Sequence, residues 1–354
     1  MKRIRKDSLK TVLNEWARRY AVVAPTRTDK GECVFDLFDQ ERFTLDYGKP
    51  SMPPKRWLMP QSEVMFQVER GRYCQSVSGD GVLLFGIRSC DLTGLNQSLS
   101  FMSGKLDDPY YTARASSTLI VVTACAGPQS PTCFCTSTLS GPCANSGFDL
   151  QLYDEGESYL VEIGSEHGAE LASSDLFEES DDGAGHERIL LFKRHAQMRI
   201  PVVPEVSAAM DRLRTSGVPD ELWDNFGAKC ISCGGCSFVC PTCTCFTVSD
   251  RVVSEDSGQR LRSWDSCLYG GFTREASGHN PRATKSLRVR RRYEHKLLYH
   301  TDRDTCGGLS TCVGCGRCSD CCPVHIGLIE VARSLSSLEY PAYAQRSYSE
   351  ACHE

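Results

Sequence analysis

Nothing in the 354 residues is apolar for long enough to cross a bilayer. The longest such stretch lies around Leu119–Val122, against the roughly 20 residues that a spanning helix needs. Net charge is only −5, which removes any bulk electrostatic case for nucleic-acid binding. No Gly-x-Gly-x-x-Gly follows a strand-like run, because Gly79, Gly81 and Gly86 are wrongly spaced. No flavin or NAD(P) site is therefore expected in this chain. A Cys-x-x-Cys-His haem signature is missing too. So are the two widely separated Cys-x-x-Cys pairs that a nickel–iron site requires. The 8 histidines are scattered and form no triad. Met1-Lys-Arg-Ile-Arg-Lys6 is basic, but an amphipathic segment follows it, so a secretory signal is not expected.

Cysteine is abundant, at 21 residues. Dense disulfides belong mainly to small secreted scaffolds, whereas here the spacing is that of metal ligands. A reducing cytoplasm, and an oxygen-sensitive, anaerobically handled protein, are the expectation. Two runs dominate: Cys230-x2-Cys233-x2-Cys236-x3-Cys240-Pro241 and Cys312-x2-Cys315-x2-Cys318-x3-Cys322-Pro323. This is the bacterial spacing for [4Fe–4S] clusters, in which three close thiolates hold one cube and the fourth, before proline, completes the other. Cys230, Cys233, Cys236 and Cys322 are assigned to a first cube. Cys312, Cys315, Cys318 and Cys240 are assigned to a second. A zinc-stabilised scaffold without redox role also uses Cys-x2-Cys, but as separated pairs, not triplets ending in Cys-Pro.

A third group lies earlier. Cys90 and Cys125 each follow a predicted strand, with Cys133 and Cys135 close behind. Strand ends in an open α/β sheet converge on the ligand crevice, so these four can hold a third [4Fe–4S] cluster. Free cysteines in a tight loop are the competing reading. Cys243, Cys245 and Cys267 are thiols in excess. Cys306 and Cys321 read as non-ligands, and Cys33, Cys74, Cys143 and Cys352 as incidental. Cys306, Cys312, Cys318 and Cys322 echo a sirohaem motif but lie too close together for one. The basic run Arg282–Lys296 reads as structural, with partner contact as a further option.

The fold class expected is α+β. An N-terminal mixed α/β domain, 1–200, precedes a mainly α-helical ferredoxin-like dicluster domain, 201–354. Helices are predicted over 7–20, capped by Asp7 or Ser8, over Leu92–Phe101, around Val206–Leu213 and Asp220–Phe226, and over Ile326–Leu338. Strands are predicted at Val82–Ile87, Leu119–Thr123, Tyr159–Ile163 and Ile189–Phe192. Ser173–Glu187 reads as an acidic loop. The long gap between the cysteine runs must be an insertion that folds back.

The order of motifs resembles one family. Gly86-Ile-Arg-Ser-Cys-Asp-Leu92, Asp108-Pro-Tyr-Tyr111, Cys125-x7-Cys133-Phe-Cys135 and the first cysteine run through Cys243-Thr-Cys245-Phe246 carry it. Trp264-Asp-Ser-Cys267, Tyr293-Glu-His-Lys-Leu297 and Cys312-Val-Gly-Cys-Gly-Arg-Cys318 add to it. Together they resemble the β subunit of cytoplasmic nickel–iron hydrogenases (sulfhydrogenases) and the iron–sulfur electron-transfer subunit of anaerobic sulfite reductases. The resemblance implies a non-catalytic electron-transfer subunit of a soluble multi-subunit oxidoreductase. Its partners would be a flavin/NAD(P)-binding reductase and a catalytic subunit of nickel–iron hydrogenase type. A sirohaem sulfite reductase or heterodisulfide-reductase-like destination is the alternative.

Overall fold

A computed structural model describes residues 1–215, 217–299 and 310–338. The predicted amphipathic segment folds as the helix Leu9–Ala17 and buries Leu9, Val12, Leu13 and Trp16. A short 3-10 turn, Lys6–Ser8, replaces the expected side-chain cap.

An eight-stranded mixed sheet organises the N-terminal part. Its order is Phe177–Glu179, Lys2–Arg5, Ser158–Ile163, Leu150–Asp154, Leu119–Thr123, Val82–Ile87, Ala21–Arg27, Cys33–Leu37. Its four central strands, from Leu150–Asp154 to Ala21–Arg27, are mutually parallel. Val82–Ile87 is buried throughout, as expected for a parallel strand covered on both faces. The carboxyl ends of this strand and of Leu119–Thr123 point Cys90 and Cys125 toward the same edge of the sheet.

Two expectations fail here. Ile189–Phe192 is not a strand but lies inside the helix Asp182–Arg199. The Oδ1 of Asp181 accepts from Ala184 N at 2.9 Å and starts that helix. A four-residue apolar run does not reveal its period. Consequently Ser173–Glu187 is not one loop: it contains the strand Phe177–Glu179 and the first helical turn.

The gap between the cysteine runs contains a hairpin, Phe246–Ser254 and Ser257–Trp264, which a mainly helical C-terminal part did not include. It pairs antiparallel with Ser62–Glu69, which pairs in turn with Arg72–Gln75. Sequence-distant halves thus share one four-stranded sheet. The buried Arg262 fixes the junction by pairing with Glu63 at 2.6 Å and with Asp108. Arg114 completes the group, 2.8 Å from Glu63. Elsewhere the C-terminal part is helical: Pro204–Arg214, Asp220–Lys229, Lys285–Leu297 and Leu328–Ser336 pack around Trp223, Val289, Tyr293 and Leu335.

Candidate iron–sulfur centres

The two cysteine runs adopt the same backbone, position for position. Ser232 and Gly314 are both left-handed, at φ 56° and 58°. Gly234 and Gly316 follow at 73° and 72°. Each run then enters one turn of helix, Gly235–Phe238 or Arg317–Asp320. The repeated left-handed steps fold each triplet into a tight loop. Proline after the fourth cysteine lacks an amide proton and cannot extend that helix.

Glycine is required where the second loop docks. A Cβ on Gly316 would sit 2.2 Å from the Thr132 carbonyl oxygen, and one on Gly314 2.6 Å from that of Phe134. Gly316→Ala is therefore expected to lower stability by about 1–3 kcal/mol. The check is the thermal unfolding midpoint of anaerobically purified protein.

Cys230, Cys233, Cys236 and Cys322 line one cavity, closed by Leu268, Val289, Arg292 and Tyr293. Cys233 is exposed, which puts this site nearest solvent. Cys321 lines the same cavity, but its thiol is turned to the Cys318 carbonyl oxygen at 3.7 Å. Cys322 Sγ instead accepts the Ile326 amide at 3.4 Å. Cys230 Sγ likewise accepts from Ser232 N at 3.4 Å.

Cys312, Cys315 and Cys318 form the second triplet, and Cys240 bears electrostatically on all three. Burial pushes these three thiols up, that of Cys315 to about 11. Cys240 of the first run thus lies close to the second triplet. Cys318 also neighbours Cys236, so the two sets adjoin.

The third group meets as well. Cys90, Cys125, Cys133 and Cys135 line a cavity with Lys49, Arg88, Gly314 and Cys315. Burial pushes the thiols of Cys90, Cys125 and Cys135 up. The Phe134 amide donates to the Gly314 carbonyl at 2.8 Å, so this loop lies directly on the second triplet. Arg317, between Cys315 and Cys318, forms a fully buried two-point ion pair with Asp91, beside Cys90, at 2.6 and 3.1 Å.

Sequence reasoning singled out the basic run Arg282–Lys296, with steadying a nearby cluster as one option, but did not single out Arg88 or Lys55. Arg88, Arg292, Lys296 and Lys55 are buried, yet among the described residues no carboxylate lies within ion-pair distance of any of them. Arg292 donates to the Cys236 carbonyl at 2.7 Å and to Cys243 Sγ at 3.7 Å. Lys296 donates to Thr242 Oγ1 at 2.7 Å. Lys55 reaches the Cys243 carbonyl at 2.9 Å, and Arg88 the Tyr47 carbonyl at 2.9 Å. Burial opposes the charge of Arg292, while negative charge on Cys236 or Cys243 would favour it, and its pKa is raised. The same contest, with Cys240 and Cys243, favours the Lys296 ammonium. At Lys55 burial wins and lowers the pKa. A readable signal existed: Arg288, Arg292 and Lys296 recur every fourth residue on the helix Lys285–Leu297 and so share a face.

The surplus thiols fall beside both sets, Cys243 against Cys240 and Cys267 near Cys236. Cys240 contacts Cys243, which lowers the pKa of the former and raises that of the latter. Cys245 contacts Cys267, whose thiol is brought down to about 6. Cys143 does not line the third cavity, Cys74 is exposed and Cys33 half-buried. Cys306 and Cys352 lie outside the described residues.

A protein that gathers cysteine triplets in this crossed arrangement is an iron–sulfur protein. Residues 229–326 match the family model of the 4Fe-4S dicluster domain. The chain is 32% identical over 330 residues to sulfhydrogenase 2 subunit beta of Pyrococcus furiosus, covering 90% of this chain and 92% of that one. It belongs to the family of sulfhydrogenase iron–sulfur β subunits. No solved structure matches it.

Proposed function

We propose that the chain is the electron-transfer subunit of a hydrogenase-type complex, with three [4Fe–4S] sites in a row. The first is held by Cys230, Cys233, Cys236 and Cys322, the second by Cys240, Cys312, Cys315 and Cys318, and the third by Cys90, Cys125, Cys133 and Cys135. Each such cluster supplies reversible one-electron storage when bound. One observation carries this reading: buried cations without carboxylates surround the buried thiols. An uncompensated buried charge costs several kcal/mol, and an anionic cluster is the counter-charge that the chain itself lacks. Arg88 extends the argument to the third cavity.

Among the described residues, no three His, Cys, Asp or Glu side chains converge as they must on a single metal ion. The thiols ring cavities instead, which favours a multi-atom cluster over zinc. What the residues do is hold and insulate. The thiols of Cys312, Cys315 and Cys318, which burial pushes up, must release protons on loading. Backbone amides on Cys230, Cys312 and Cys322 stabilise the thiolate form.

The partners fitting this role are a flavin/NAD(P)-binding reductase and a nickel–iron catalytic subunit. The Pyrococcus relative favours that destination over sirohaem sulfite reduction. Among the described residues no helix is long and apolar enough to cross a membrane, and we place the complex in the cytoplasm. Functionally, 1–200 carries the third site and 201–354 the dicluster.

Metal and sulfide analysis of anaerobically purified chain tests the assignment. About twelve irons with matching sulfide and no zinc is the expected result, falling to about eight in Cys125→Ala/Cys133→Ala. Stoichiometric zinc without sulfide would refute it. Iron unchanged in the double variant would remove the third site alone.

A further inference from the structure

The helix Lys285–Leu297 carries charge into the middle of the ligand sets, and its inward line is not uniform. Arg288 spends its donors on the carbonyls of Leu268, Arg282 and Ala283, tying loops together. Arg292 is placed differently. It lines the cavity of the first set, donates to the Cys236 carbonyl and neighbours Cys318 of the second set. Its Nε has no hydrogen-bond partner among the described residues. Lys296 reaches the second set through one hydroxyl: Nζ donates to Thr242 Oγ1 at 2.7 Å, and that oxygen lies 3.3 Å from Cys240 Sγ.

Resting on the iron–sulfur reading above, we propose that Arg292 and Lys296 are the positioning residues that set the reduction potentials of the dicluster sites. Arg292 acts on both sites. Lys296 acts on the second, through the Thr242 hydroxyl and Cys240. The sign follows from charge. Reduction adds an electron to an already anionic site, so a fixed nearby cation stabilises the reduced form more than the oxidised one. Removing it lowers the potential. Net charge and hydrogen bonds to sulfur are established levers on such sites, and low dielectric magnifies both. Lysine fills space along its stem as well as guanidinium does, but delivers a point charge without the planar fork.

The test uses the anaerobically purified full chain and its variants Arg292→Gln, Arg292→Lys, Lys296→Met, Thr242→Val and, on the outer face, Arg290→Gln. Iron and sulfide content is measured first, then midpoint potentials by electron paramagnetic resonance during reductive titration. In loaded Arg292→Gln the reduction equilibrium of both dicluster sites should fall at least tenfold, about 59 mV for one electron. Arg292→Lys should recover most of that shift. Lys296→Met and Thr242→Val should lower the second site alone, and Arg290→Gln should leave both unchanged. Fully loaded Arg292→Gln and Lys296→Met with parental potentials overturn the inference, as does an equal shift in Arg290→Gln. Should Arg292→Gln take up less iron, Lys296→Met and Thr242→Val decide by the same criterion. A parent chain without iron overturns the underlying reading, and this inference with it.

Discussion

Cys240→Ala will cost the protein about four irons per chain, whereas Cys243→Ala, three residues along, will cost none. The contrast is strict because the two thiols touch, yet only Cys240 bears on Cys312, Cys315 and Cys318. The loss should be confined to the middle site, since Cys240 is assigned to neither the first nor the third. Iron and sulfide analysis gives the count, and the resonance signals of the reduced protein show which site has gone. Equal loss from both variants would mean that the surplus thiol shares the ligand role. Loss from Cys243→Ala alone would reverse the crossed assignment.

Asp91→Ala is expected to lower stability by about 3–5 kcal/mol, the cost of leaving a buried partner charge alone. Arg317 is 1% exposed and Asp91 fully buried. The guanidinium would keep only its bond to the Pro50 carbonyl at 2.8 Å among the described residues. Asp91→Asn should fall almost as far, because it keeps the shape and not the charge. The double variant Asp91→Leu/Arg317→Met should regain most of the loss, as apolar replacement of both members of a buried pair often does. Anaerobic denaturation midpoints of the four proteins measure this. A single variant within about 0.5 kcal/mol of the parent would show that the pair does not join the third group to the second.

The grouping of the thiols was legible because the cluster-type spacing is local. Three thiols must lie within one tight loop, so their spacing is written in consecutive residues. The convergence of Cys90 with Cys125 was legible for another reason, since strand ends in a parallel sheet meet at one edge. The counter-charges were not. Arg292 and Lys296 belong to a basic run that read as structural, with steadying a cluster's charge only one option, and their inward direction depends on which face of the helix the core covers. Arg290 belongs to the same run yet pairs outward, with Glu294 at 2.7 Å and Asp220 at 3.1 Å. Ile189–Phe192 misled because four adjacent apolar residues fit a strand or a helix equally well. Only the cap at Asp181 distinguishes the two. The hairpin Phe246–Trp264 escaped because its edge strand is exposed along its whole length and shows no buried alternation.

That hairpin has a bearing on how the two halves fit together. Cys245 and Cys267 stand at its two feet, just outside Phe246 and Trp264, while its arms zip onto Ser62–Glu69. The second triplet is meanwhile capped by the loop around Thr132–Cys135. Each half therefore completes a sheet or a loop contact of the other.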